Sequence, residues 1–248
     1  MILLFTDFGY EGPYVGQMKA VLARMALDAP VIDLMHDAPS HDPSAAAHLL
    51  AALVSEMPSN AVCLAVVDPG VGSDRLPVTL RADGRWFVGP DNGLLELVQR
   101  RAHLADQWAI TWRPKHLSRS FHGRDLFAPV TARLARGEIP PGRPYPAGWR
   151  ILPERPGADW PDDRAAVVYI DRFGNAMTGL RASLLEETQA LIVGEVRIKH
   201  AAIFSEVPLG QVFWYVNSCG LVEIAANRAN AATICQLNIG DEFNIADR

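Results

Sequence analysis

Five short polar clusters hold the residue types that could do chemistry in this 248-residue chain: Thr6-Asp7-Phe8-Gly9, His36-Asp37, Asp68-Pro69-Gly70-Val71-Gly72-Ser73-Asp74-Arg75, Gly89-Pro90-Asp91-Asn92-Gly93 and Ser120-Phe121-His122-Gly123-Arg124-Asp125. The first four follow short apolar runs, and the fifth precedes a helical pattern. In a parallel α/β sheet the carboxyl ends of the strands collect on one edge, where ligands bind. Each cluster alone has a plainer reading, since an Asp before a helix usually caps it and Asp-Pro-Gly usually turns. Together the five clusters point to one shared site. The adjacent pairs His36-Asp37 and His41-Asp42 are poor chelators, because a metal site needs three or four converging ligands; turn and cap roles are expected for them.

Missing motifs narrow the chemistry. The chain has no GxxxxGK[ST] loop, no GxGxxG opening its first helix, no HExxH and no GxSxG. Nucleotide triphosphate hydrolysis, zinc proteolysis and esterase chemistry are therefore disfavoured, and neither a cofactor nor a metal is expected. A formal net charge of -5 with no Lys/Arg run argues against a nucleic-acid partner. Cys63, Cys219 and Cys235 lack CxxC spacing and sit in apolar runs, as small buried residues of a reducing compartment do. The apolar run at the N-terminus ends at the fifth residue, too short for a signal sequence, and no stretch approaches the ~20 residues of a membrane span. A cytoplasmic protein without a membrane partner is expected.

The elements that must position these clusters alternate. Met1–Phe5 and Val62–Val67 read as buried strands, and Val31–Met35 reads as a strand between them. Tyr14–Leu27 has a helical apolar period, and Ser44–Ser55 reads as a helix capped by Ser44. Asp83-Gly84 signals a hairpin, followed by helical segments at Asn92–Arg101 and Asp125–Arg136. The expected fold class is α/β, with a mostly parallel sheet covered by helices on both faces over residues 1–138. Seven prolines between Ile139 and Pro161 read as a linker, taken as 139–163. Beyond it, short apolar runs at Val167–Ile170, Ala190–Val196, Ala201–Phe204, Val212–Val216, Val222–Ala225 and Ile234–Leu237 suit a smaller β-barrel-like domain over 164–248.

The segments TDFG, YVGQMKAVL, VVDPGVGSDR, VGPDNGLL, SFHGRDLFAP, IDRFGNAMT and NSCGLVEIAANRANAA occur in this order from Thr6 to about Ala232. In these segments the chain resembles the S-adenosylmethionine hydroxide adenosyltransferases, relatives of the fluorinase and chlorinase enzymes. The resemblance implies an N-terminal α/β domain, a C-terminal β-barrel and a homotrimer with active sites between subunits. It implies hydrolysis of S-adenosyl-L-methionine to adenosine and L-methionine, by attack of water or hydroxide on the ribose C5′. Methionine would leave uncharged, so the leaving group needs no proton. The difficulty lies with the nucleophile, which must be held in line with the C–S bond in a dry pocket.

The family's Asp, Arg and His triad falls on Asp68, Arg75 and His122. Asp68 would orient the water, His122 has a pKa suited to proton transfer near neutrality, and Arg75 would favour hydroxide and anchor Asp68. The resemblance puts Asp7 on the ribose diol and includes Phe121 among the substrate contacts. It puts Asp171 and Ser218 on the methionine end, Asn175 on the adenine edge beside Phe173, and Phe204 packed on adenine. Glu223 reads equally as an outward strand residue or a substrate contact. Gly12, Gly179 and Ala229 stand where relatives usually carry Asp, Asn and Gly, and His41 stands where the halogenases have Trp. Two alternatives stay open: a halide-using adenosyltransferase, which a carboxylate at position 68 disfavours by repelling halide, and a nucleotide-binding protein without turnover.

Overall fold

The computed structural model describes residues 1–139, 142–146 and 148–247. The chain divides into two compact units, Met1–Trp160 and Pro161–Arg248. The first is built on β1 (Ile2–Thr6), α1 (Tyr14–Met25), β2 (Val31–Met35), α2 (Pro43–Leu53), β3 (Val62–Val66), β4 (Pro77–Ala82), β5 (Arg85–Pro90), α3 (Glu96–Arg101), β6 (Ala105–Ile110), α4 (Ala128–Ala135) and β7 (Gly142–Pro144). Its seven strands lie in the order β2-β1-β3-β5-β4-β6-β7. Strands β2, β1, β3 and β5 run parallel, while β4, β6 and β7 add an antiparallel flank.

All five residues of β1 and all five of β3 are buried, as expected for parallel strands covered on both faces. Ile2, Leu4, Val62, Leu64 and Val66 pack with Met18 and Leu22 of α1 and with α4, and α2 packs on α3. The expected α/β class therefore holds. The Asp83-Gly84 hairpin is realised between β4 and β5 with positive φ at both turn residues, 45° and 87°, the conformation a two-residue hairpin favours. The helix expected from Ser44 starts one residue earlier, at Pro43, and its cap is Asp42, whose Oδ1 accepts from the Ala45 N–H at 3.0 Å. Pro43 is pre-set for the first helical position and moves the cap back to Asp42.

Within the stretch expected as a linker, β7 extends the sheet through β6. Arg150 donates to the Gln99 and Ala102 carbonyls at 2.6 and 3.0 Å. Arg100 of α3 reaches the Gly157 and Trp160 carbonyls, each at 2.7 Å. Pro140 and Pro141 of that stretch lie outside the described residues.

The second unit contains β8 (Arg164–Ile170), β9 (Ala176–Arg181), β10 (Ala190–Val193), β11 (Val196–Ile198), β12 (Val212–Val216), β13 (Leu221–Ala226), α5 (Ala231–Cys235) and β14 (Asn244–Ala246). Its strands pair antiparallel in two sheets, one of order β12-β13-β9-β8 and another of order β11-β10-β14. Val167, Leu191, Trp214, Val222 and Ile224 form its core. The β-rich expectation thus takes the form of two sheets, and no closed barrel forms among the described residues. Two of the apolar runs expected to build the β-rich domain form no strand. Ala201–Phe204 leads into a single turn at Phe204–Glu206, and Ile234–Leu237 overlaps α5, started by Asn230 accepting from the Thr233 N–H.

Candidate functional site

Because β1, β2 and β3 are parallel, Asp7, His36 and Asp68 emerge at one edge of the sheet. His36 is buried and holds that edge together. Its Nδ1 lies 2.8 Å from the Thr6 hydroxyl, and its Nε2 lies 3.1 Å from Asp33 Oδ1. Asn92, at the end of the hairpin, donates to the carbonyl of Val67 at 2.9 Å and so braces the residue before Asp68. The Asp91 carboxylate accepts from the Tyr145 hydroxyl at 2.7 Å. The second and fourth clusters are thus engaged in supporting contacts.

The third and fifth clusters meet. Arg75 Nε lies 2.9 and 3.0 Å from the two oxygens of Asp68, and its Nη2 also donates to Asp68 Oδ2. The same Nη2 lies 3.0 Å from His122 Nδ1. The Arg75 guanidinium stacks 5.4 Å from the centroid of the Phe127 ring. Asp68 and Arg75 side chains are only 4% and 9% exposed, so solvent screens the pair little. The approach of the two loops requires Gly72: its φ is +84°, and a Cβ there would lie 2.7 Å from the Arg119 carbonyl oxygen. His122 stands at the entry to a π-helical turn, Gly123–Phe127, which continues into α4. Such widened turns recur at functional positions.

A guanidinium has only donors. His122 Nδ1 therefore accepts from Arg75, and the neutral ring carries its proton on Nε2. Burial pushes the His122 pKa below its usual 6.5, and the Arg75 charge pushes it further the same way, so the neutral ring is the favoured form. Asp7 accepts from the His41 N–H at 3.2 Å. Burial raises the Asp7 pKa above its usual 3.8, and the Asp68 charge adds to the rise. Asp68, Phe121 and His122 line a cavity of about 430 Å³ in the first unit, together with Phe8, Tyr14 and Arg124.

The other expected contacts converge in the second unit. Asp171, Phe173, Asn175, Phe204, Ser218 and Glu223 line a single cavity of about 820 Å³. Asp171 organises the loop before β9. Its Oδ1 accepts from the N–H groups of Phe173 and Asn175 at 2.8 and 2.9 Å, and its Oδ2 accepts from Asn175 Nδ2 at 3.0 Å. Phe173 is 67% exposed, and Phe204 stacks edge to face on Phe213 and Tyr215. Glu223 is buried, with Oε1 accepting from the Tyr215 hydroxyl at 2.7 Å and Oε2 from Asn217 Nδ2 at 2.9 Å. Burial raises its pKa above the usual 4.5.

Sequence reasoning missed Tyr215 and Asn217, as well as Phe8 and Tyr14. Tyr215 pairs across β12 and β13 with Glu223, a register that a sequence does not print. Asn217 carried a weak signal in its Asn-Ser-Cys-Gly turn, where its Oδ1 accepts from the Cys219 and Leu221 N–H groups at 2.9 and 3.0 Å. Among the described residues, no group of three or more His, Cys, Asp or Glu is arranged to hold a metal ion. No helix among them is long and apolar enough to cross a membrane.

Residues 2–142 match the SAM hydroxide adenosyltransferase N-terminal domain, and residues 165–244 match the corresponding C-terminal domain. A protein of Thermus thermophilus named (R)-S-adenosyl-L-methionine hydrolase is 40% identical, with 96% of each chain covered. One of the same name from Salinispora arenicola is 36% identical over 97% of this chain and 95% of its own. The solved structure of a conserved protein from Thermotoga maritima superposes with a TM-score of 0.88 at 30% identity, covering 99% of this chain and all of that one. With both domains matched in order along nearly its whole length, the chain belongs to the S-adenosylmethionine hydroxide adenosyltransferase family.

Proposed function

We propose that this protein hydrolyses S-adenosyl-L-methionine to adenosine and L-methionine, acting on the (R) form at sulfur as the names of its relatives indicate. The observation that carries the reading is that Arg75 joins Asp68 to His122, two residues that line one cavity. Asp68 accepts a hydrogen bond from the attacking water, and His122 Nε2–H donates one to the same oxygen. The water is thereby aimed at C5′. As the C5′–O bond forms, the C5′–S bond breaks and its electron pair stays on sulfur, which departs as the neutral thioether of methionine. The oxonium formed at the 5′ position is a strong acid, so even an arginine-paired carboxylate can take its proton. Asp68 is that acceptor, and the proton passes on to solvent. Opposite charges do not build up along this path, so a cavity that excludes water does not oppose it.

Substrate contacts follow the same reading. Asp7 accepts from both ribose hydroxyls. Phe121 borders the reacting carbon. Asn175, fixed by Asp171, meets the adenine edge between Phe173 and Phe204. Ser218 and the carboxylates of Asp171 and Glu223 serve the methionine end. A homotrimer, a cytoplasmic setting and independence from cofactors are part of the proposal.

The test is turnover of each purified sulfur epimer in isotope-labelled water, with and without chloride. Adenosine carrying the label at its 5′ oxygen, independent of chloride, is the expected product. A 5′-halogenated nucleoside, or tight nucleotide binding without product, refutes the reading.

A further inference from the structure

Three aromatic rings wall the first unit's cavity beside Asp68 and His122: Phe8, Tyr14 and Phe121. They touch one another, with centroids 5.9 Å apart for Phe8 and Tyr14, 5.8 Å for Phe8 and Phe121, and 5.3 Å for Tyr14 and Phe121. Small residues leave room for them. A Cβ at Gly123 would lie 3.3 Å from the Phe121 ring and 3.4 Å from the Phe8 ring, and one at Gly12 would lie 3.3 Å from the Tyr14 ring. The wall already takes a cation, since the Arg124 guanidinium carbon lies 5.2 Å from the Phe121 centroid. That guanidinium is held by Asp125 and Gln17. Tyr14 is 49% exposed, so much of its ring is open to a ligand.

A sulfonium is a cation, and cations are attracted to aromatic faces within about 6 Å of the ring centroid. In-line attack puts sulfur one bond beyond C5′, so a nucleophile held by Asp68 and His122 brings the sulfonium into the cavity that these rings wall. Sulfur carries C5′, a methyl group, the long amino-acid arm and a lone pair. With the C5′–S axis aligned to the nucleophile and the long arm leaving through the open side, inversion at sulfur exchanges the methyl group and the lone pair. The methyl hydrogens share the positive charge and favour a π face, whereas the lone pair does not. We infer that Phe8 and Tyr14 receive the S-methyl of the sulfonium and so select the configuration at sulfur, an assignment that rests on the hydrolase reading. The attraction acts on the charged ground state and fades as the C–S bond breaks. It therefore contributes binding rather than rate, and its removal belongs in KM.

The experiment compares the full-length protein with Tyr14→Leu, Phe8→Leu and Tyr14→Phe. Hydrolysis of the (R) and (S) epimers is measured beside calorimetric binding of S-adenosyl-L-methionine and its neutral thioether counterpart, S-adenosyl-L-homocysteine. In the leucine variants KM for the preferred epimer rises roughly ten-fold while the loss spares kcat. The epimer preference narrows, and the binding preference for sulfonium over thioether falls by a similar factor. Tyr14→Phe keeps the ring and retains that preference. Leucine variants with an unchanged epimer ratio and an unchanged sulfonium preference overturn the inference. A parent protein that binds these ligands but releases no adenosine removes the hydrolase reading alone, and the sulfonium-to-thioether comparison then decides the inference. If melting shows that Phe8→Leu does not fold, Tyr14→Leu, at a half-exposed position, carries the decision.

Discussion

Arg75→Lys is the most informative change in the site. It keeps the positive charge and removes the fork. Arg75 makes its contacts through two nitrogens: Nε touches both Asp68 oxygens, and Nη2 touches Asp68 Oδ2 and His122 Nδ1 together. A lysine ammonium is a single point on a flexible stem. It can keep one contact to Asp68, but it does not also hold the imidazole. At least one charge-assisted hydrogen bond is therefore lost, worth about 1.5–3 kcal/mol, and a second is weakened. The Asp68 and Arg75 side chains are nearly buried, so water does not make good the loss of a contact between them. If the lost contacts orient the water in the transition state, the barrier rises by about 2–4 kcal/mol and kcat falls roughly 30- to 1000-fold. The assay is adenosine release in labelled water at saturating substrate, with adenosine affinity and melting temperature measured on the same preparations. Adenosine affinity is expected to change little, because Asp7 accepts from the His41 main chain rather than from Arg75. A folded Arg75→Lys protein with kcat within about three-fold of the parent refutes the argument that one arginine orients both partners.

Three further outcomes follow from the same geometry. The His122 pKa lies below its usual 6.5, so both activity and the stability this ring contributes hold above that value and decline as pH falls toward the lowered one; an acid limb centred above pH 6.5 in kcat against pH contradicts this. Glu223 has a raised folded-state pKa, so the stability it contributes is present below its usual 4.5 and is lost as pH rises through the raised value; Glu223→Gln is expected to melt no lower than the parent near pH 8, and a clear drop there refutes the sign. Gly72→Ala sets a Cβ 2.7 Å from the Arg119 carbonyl oxygen at positive φ, at a cost of about 2–4 kcal/mol; unchanged melting and kcat would show that this approach is not required.

Much of the parallel half of the first sheet was legible because buried strands print as apolar runs. Val31–Met35 and Val212–Val216 form strands with the expected bounds, although β2 lies at the sheet edge with its residues half-buried or exposed. Strands β6 and β9 were missed because ADQWAI and AMTGLR interrupt their apolar residues with polar ones, or with glycine. Ile234–Leu237 shows the converse, since so short a mainly apolar run does not distinguish a strand from one turn of helix; the capping Asn230 was the clue. Pro43 was a similar clue to the start of α2. In the site, residue types were legible and partnerships were not. Arg75 is seven residues from Asp68 and 47 from His122 in the chain, and no spacing rule joins them. Family resemblance proposed the trio, and the loop approach at Gly72 explains how it assembles. Glu223 could not be assigned from sequence because its burial depends on the cross-strand partner Tyr215 and on Asn217.

The sharing of Arg75 between Asp68 and His122 also constrains how such a site can change over evolutionary time. Replacing Asp68 alone strands a nearly buried guanidinium, at a cost of about 3–5 kcal/mol, a large share of a typical domain's stability. Replacing Arg75 alone strands the carboxylate and frees the imidazole at once. Single substitutions thus pass through poorly folded ancestors, and a lineage moving from water to another nucleophile is driven to exchange these positions together or to lose the arginine first in a stabilised background. The arginine acts as a ratchet on the choice of nucleophile.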